Sequence, residues 1–166
     1  TSLLALKKLG FDSGRLDVIF LCHLHGDHFG GLPFFFMEFL YENSREKPLH
    51  VAGPVGTEEK ARAVFDLMYG KGTKAGDLAS TCFHVLEPEK TSTIQGIEVF
   101  PFRVPHQVNE VSLALKVSYH GKHILFSGDS AWTDAFLKHA RGVDLFVCEC
   151  TYYDPEGSNH MRYLQL

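Results

Sequence analysis

Residues 23–28 read His-Leu-His-Gly-Asp-His, which places three imidazoles and a carboxylate within six positions. Neutral imidazole is a good ligand for zinc and other late first-row ions, and a carboxylate completes a mixed nitrogen and oxygen site. In an extended segment His23, His25 and Asp27 share one side, two residues apart, and His28 turns the corner. Such a loop can offer two groups to one ion and two to a second. Gly26 lets the backbone bend between the ligands, and Gly30 and Gly31 allow the next helix to start close by. The competing reading is a solvated, His-rich turn. The position of the cluster directly after the apolar run at 16–23 argues against it.

Three more groups stand at strand ends. His106 follows Phe-Pro-Phe-Arg-Val-Pro, where Pro105 sets the turn. Asp129 closes the apolar run Lys-His-Ile-Leu-Phe-Ser-Gly-Asp, and His160 follows the run that ends at Cys150. Each alone is a weak signal. His50, His84, His120, His123 and His139 lie mid-strand, at a hairpin tip or on a helix, and read as structural or solvated.

Hydrophobic periodicity supplies the elements that must hold these groups. Helices are predicted over 2–9, 31–43, 56–70 and 133–140. Pro33 falls in the first turn of the second, and Thr57 reads as the N-cap of the third. Strands are predicted over 16–23, 48–54, 81–87, 97–104, 112–119, 123–128 and 143–150, with a hairpin at His120-Gly121-Lys122. The alternation of strands and helices implies a layered mixed fold. A final helix is expected to begin within 159–166.

The 166 residues fit one domain, and 45% hydrophobic content is enough for a real core. A formal charge of −4 gives no general nucleic-acid footprint. No apolar run approaches the roughly 20 residues that span a bilayer. The four cysteines include no CxxC pair, which points to free thiols and a cytoplasmic setting. The chain starts without Met inside a predicted helix, so a fragment or trimmed chain is expected.

Taken together, the His23–His28 motif, His106, Ser-Gly-Asp129-Ser, and Cys-Glu-Cys-Thr followed by His160 resemble the metallo-β-lactamase superfamily of metal-dependent hydrolases. The resemblance runs from residue 16 to 162 and implies a single 1–166 domain of α+β class, an αββα four-layer sandwich, with N-terminal strands missing. It implies two divalent ions, zinc first, with manganese or iron as alternatives. His23, His25 and His106 would hold the first ion, Asp27, His28 and His160 the second, and Asp129 would bridge them. A water or hydroxide between the ions would be the nucleophile. Asp27, Glu149 and His160 are the catalytic candidates, with orientation of a ligand histidine favoured for Glu149 over direct catalysis.

Within the superfamily the sequence is similar to the ribonuclease Z and small phosphodiesterase branch. Asp129 stands where true β-lactamases commonly carry Cys or Ser, and His25 stands where the flavodiiron branch carries an acid. Only 23 positions separate His106 from Asp129, which leaves no room for a tRNA-clasping arm, and Cys148 replaces the His of the His-Glu-Ala-Thr loop. The implied substrate is therefore a small molecule or nucleotide with a phosphodiester, such as a cyclic nucleotide, a cyclic phosphate or a small RNA-type substrate, rather than extended tRNA. Ester, lactone or thioester hydrolysis on the same site is the alternative, and a non-catalytic metal-bearing module is a third reading. No membrane partner is expected, and a homodimer is compatible. Residues 71–77 and 107–111 are the expected substrate-facing segments.

Overall fold

The structure is a computed structural model that describes residues 2–42, 45–71, 80–154 and 159–166. Its contacts divide the chain into two compact units, Thr1–Val85 and Leu86–Leu166.

The first unit is built on a parallel sheet in the order β1-β2-β3, formed by Val18–Phe20, Leu49–Gly53 and Thr81–Val85. Parallel neighbours need a crossover. Helices α2 (Gly26–Phe29) and α3 (Leu32–Tyr41) lie between β1 and β2 in the chain, and α4 (Thr57–Tyr69) lies between β2 and β3. Leu49 and Val51 of the central strand are fully buried with Leu32 and Phe36 of α3 and Ala61 and Phe65 of α4. The Phe36 and Phe65 rings stand 6.1 Å apart. Helix α1 (Ser2–Lys8) is anchored by Leu3 and by an ion pair from Lys7 to Glu38, 2.6 Å long.

Two details differ from the sequence expectation. The N-cap of α4 is Gly56, at φ 89°, and not Thr57. Only glycine takes that left-handed conformation without strain. Thr57 becomes the first helical residue, and its hydroxyl donates to the Pro54 carbonyl at 2.6 Å. Gly53 is also required by close approach, since a Cβ there would come within 2.6 Å of that same Thr57 hydroxyl. The strand expected over 16–23 is shortened to Val18–Phe20, and the chain leaves the ladder before His23.

His50 and His84 lie on one face of the β2–β3 pair, where Ala52 is the register partner of His84. Their Nδ1 and Nε2 atoms are 2.8 Å apart, so the two rings share one proton across that contact. Burial first, and then the neighbouring His50, push the His84 pKa below its ordinary value. This pair is tied to the sheet and lies apart from the loop at 23–28.

The second unit is a five-stranded sheet in the order β4-β5-β6-β7-β8, formed by Ser92–Ile94, Ile97–Arg103, Leu113–Tyr119, Lys122–Phe126 and Leu145–Val147. The first four pair antiparallel, and β8 joins β7 in parallel after the crossover through α5 (Ala135–His139). The β6–β7 hairpin turns on His120 and Gly121, both at positive φ (47° and 74°), as a two-residue turn of right-handed strands demands. Strand β4 has no counterpart in the sequence reading; its three residues are too few for an alternating pattern to register. The core packs Phe102, Val104, Ala114, Leu125, Phe136 and Met161 together.

The strand expected over 143–150 ends at Val147. Beyond it the Glu149 N–H donates to the Ser127 hydroxyl at 2.9 Å instead of continuing the ladder. The C-terminal helix expected within 159–166 is only a 3-10 turn at Tyr163–Gln165. Most of the loop expected at 71–77 falls outside the described residues. No helix among the described residues is long and apolar enough to cross a membrane.

Candidate metal centre

The first unit carries four of the predicted ligands on the segment that follows β1. His23 is 1% exposed, and His25 is the N-cap of α2. His23 Nε2 lies 3.1 Å from His25 Nδ1, and the His23 and His28 ring centroids are 4.0 Å apart. Two nitrogens at the ~2.0–2.1 Å zinc–nitrogen distance in tetrahedral geometry are themselves roughly 3.3 Å apart. The His23–His25 spacing thus fits two ligands of one ion. The segment is not extended throughout, because Gly26–Phe29 winds into a helical turn. That turn brings His28 back beside His23, whereas the Asp27 carboxylate faces outward, 81% exposed and 3.6 Å from His28 Nε2.

The second unit brings together His106, Asp129 and His160, which lie 23 and 31 positions apart in the chain. Each offers one ligand atom, and these atoms lie within 4.8 Å of one another. Asp129 Oδ2 is 3.9 Å from His106 Nε2 and 4.0 Å from His160 Nδ1. Backbone groups hold the loops: the Ala131 N–H donates to the Pro105 carbonyl at 2.7 Å, tying the Asp129 loop to the His106 turn.

His106 has one nitrogen engaged away from Asp129, whereas the His160 nitrogen bonded to Glu149 is the one that also lies 4.0 Å from Asp129. His106 Nδ1 donates to the Asn159 carbonyl at 3.1 Å, and His160 Nδ1 donates to Glu149 Oε1 at 2.9 Å. In His106 a proton on Nδ1 leaves Nε2, the nitrogen nearer Asp129, as the basic one, which is the arrangement that ligating imidazoles commonly show. The donor set of the second unit, one carboxylate and two imidazoles, therefore fits a divalent ion.

Glu149 is held from three sides. Its Oε1 also accepts the Ser130 N–H at 2.6 Å, and its Oε2 accepts the Thr151 hydroxyl at 2.7 Å. It touches His160 rather than open solvent, so it acts as a positioning group for that ring. Cys148, adjacent in the chain, turns away: its Sγ meets Met161 Sδ at 3.6 Å, and burial pushes the thiol pKa up. The sequence reading favoured Glu149 as the orienter of a ligand histidine over a direct catalytic group; it carried no signal for the partner of Cys148. Glu149→Gln keeps the shape but weakens the hold on His160. We expect metal affinity or turnover to fall about 10- to 100-fold, measured by metal titration and steady-state kinetics, with no change in thermal midpoint beyond that caused by metal loss.

Of the segment expected at 107–111, Val108 is 98% exposed, and the neighbouring Ser112 hydroxyl is buried without a hydrogen-bond partner among the described residues.

Comparison with known proteins places this geometry. The chain is 21% identical to the metallo-β-lactamase fold protein YhfI from Bacillus subtilis, with a TM-score of 0.76 over 99% of this chain and 63% of that one. Human tRNase Z, short form, superposes with a TM-score of 0.75 at 24% identity, covering 98% of this chain and 71% of that one. These likenesses show the metallo-β-lactamase fold. Ribonuclease Z of Brevibacillus brevis is 28% identical over 83% of this chain, and the chain spans 57% of that relative's length. The family described as "Anti-Pycsar protein Apyc1" matches residues 1–166 throughout. The chain therefore belongs to the Anti-Pycsar protein Apyc1 family.

Proposed function

We propose that this chain is a metal-dependent hydrolase that cleaves a phosphodiester in a small molecule or nucleotide. Its centre takes two divalent ions, with His23, His25 and His106 holding one, Asp27, His28 and His160 holding the other, and Asp129 shared. The carrying observation is the cluster of the second unit, where a carboxylate stands about equally far from two imidazoles that Asn159 and Glu149 hold in place. When bound, two such ions lower the pKa of a shared water and clamp the oxygens of an in-line displacement. The residues supply the rest. Glu149 keeps His160 in one tautomer and orientation. The outward carboxylate of Asp27 orients the attacking water.

Two of the proteins compared above are named as ribonucleases, enzymes of the phosphodiester bond, which supports this choice of substrate. Extended tRNA is a poor fit, for the 23-position interval from His106 to Asp129 holds one hairpin and no arm.

The test is turnover by the purified chain after addition of zinc or manganese. We expect hydrolysis of bis-p-nitrophenyl phosphate that is abolished by chelation and restored by metal. Turnover of lactones or thioesters alone would overturn the phosphodiester reading in favour of acyl hydrolysis. Fewer than about one ion bound per chain, with no hydrolysis of either class, would mark a non-catalytic module.

A further inference from the structure

The first unit holds a second group of metal-capable side chains, apart from the loop at 23–28. Side chains alternate between the two faces of a strand. Leu49 and Val51 of β2 enter the core shared with α3 and α4, and Phe83 of β3 packs against that core. His50, Cys82 and His84 therefore project from the opposite face. The parallel register sets His50 beside Cys82, and His84 follows Cys82 by two positions in the same strand. Two imidazoles and a thiol thus share one patch of sheet, and all three residues are half-buried.

The imidazoles already meet. His50 Nδ1 lies 2.8 Å from His84 Nε2, and the rings are 5.0 Å apart with planes 19° off parallel. Two nitrogens on one zinc ion stand roughly 3.3 Å apart, so the rings need part by only about half an ångström to admit an ion. Burial holds the His84 pKa below its ordinary value, which keeps that ring neutral and able to ligate. Cys82 is a free thiol. The three ligand atoms do not yet form a closed cluster, as those of the candidate metal centre do, and a turn about the Cys82 Cα–Cβ bond is what closing it requires. His84 also lines a cavity with Thr57, Glu58, Glu59 and Arg62, which gives a cation a route in past two carboxylates.

We propose that His50, Cys82 and His84 form a site for one divalent ion of the zinc class, held by two nitrogens and a thiolate that bridge β2 and β3. The site is separate from the candidate metal centre and does not rest on the hydrolase reading. Late first-row ions accept such a mixed nitrogen and sulfur set, whereas magnesium and calcium take oxygen. On binding, the thiol gives its proton to solvent. The ring that carries the proton of the His50–His84 contact takes it up on its other nitrogen, and the fourth tetrahedral position is left to solvent. The ion then ties two strands together, so its binding energy adds to the stability of the sheet.

Cobalt(II) is the probe, because a thiolate ligand adds an intense near-ultraviolet charge-transfer band that imidazoles and carboxylates do not. No residue assigned to the candidate metal centre is a cysteine, so that centre leaves the band dark. Cobalt is titrated into the metal-free chain, unaltered and as Cys82→Ala, His50→Gln and His84→Gln. We expect a saturable band in the unaltered chain, its loss in Cys82→Ala, and affinity weakened about tenfold or more in each glutamine variant. A second measurement needs no variant to fold: zinc should slow iodoacetamide alkylation of Cys82, followed by mass spectrometry, about tenfold or more, and chelation should restore it. The absence of a band, a band that persists in Cys82→Ala, or alkylation of Cys82 that zinc leaves unchanged would overturn the site. His50 and His84 would then be a plain hydrogen-bonded pair of the sheet.

Discussion

Asp129→Ala is expected to abolish turnover and to lower bound metal, with kcat/KM on bis-p-nitrophenyl phosphate falling on the order of a thousandfold, or about 4 kcal/mol of transition-state stabilisation. The carboxylate lies 3.9 Å from His106 and 4.0 Å from His160 and is the acid of the second unit's ligand cluster. Deleting it leaves the imidazoles in place, each held by its own Nδ1 contact, but removes the negative charge that Asp129 would offer a bound divalent ion. Asp129→Asn is the sharper control. It preserves volume and one oxygen while neutralising the charge, and it should fall nearly as far. The fold should survive both changes, because the loop is held by the Ser130 N–H to Glu149 and by Ala131 to Pro105, contacts that do not use the Asp129 side chain. Metal analysis with circular dichroism separates lost metal from lost structure. An Asp129→Ala chain that keeps more than about a tenth of its activity would remove Asp129 from the centre.

Phe102→Ala is expected to cost about 3–5 kcal/mol of stability, a large share of the ~5–15 kcal/mol that holds a typical domain together. Phe102 is 1% exposed. Its ring lies 5.9 Å from that of Phe136 and stacks on His139 at 4.3 Å. The same cluster contains Met161, which follows His160 directly. A cavity here would loosen the base on which His160 stands, so metal affinity should weaken along with the denaturation midpoint. Urea unfolding of the metal-free chain isolates the packing loss, and metal titration then reads the effect on the site. Phe11→Ala, at a ring 63% exposed, should shift stability by no more than about 0.5 kcal/mol. A Phe102→Ala shift below about 1 kcal/mol would refute the core assignment.

Much of the candidate site was legible because its signals are local. His23, His25, Asp27 and His28 crowd one loop, an arrangement that neither a core nor a plain surface favours. His106, Asp129 and His160 follow strand ends, and the superfamily pattern joined them. Strand and helix order was legible for the same kind of reason: apolar runs, Pro33 in the first turn of α3, and a Gly in the β6–β7 turn each restrict φ and ψ within a few residues. Element ends were less legible. Gly56 rather than Thr57 caps α4 because the backbone there is left-handed, at φ 89°, which a side chain strains.

By itself, then, the sequence determined which residue types could bind metal, where the strands that present them run, and that the chain resembles one superfamily of hydrolases. The tertiary structure alone decided which contacts the side chains around the candidate site and in the sheets make. Glu149 reaches Ser130, Thr151 and His160, Cys148 packs against Met161, His50 pairs with His84, and Tyr153 stacks on Tyr163. These contacts join residues whose separation carries no periodic signal. Closing such loops costs entropy that only the finished core repays, so the pairings arise from packing and cannot be read along the chain.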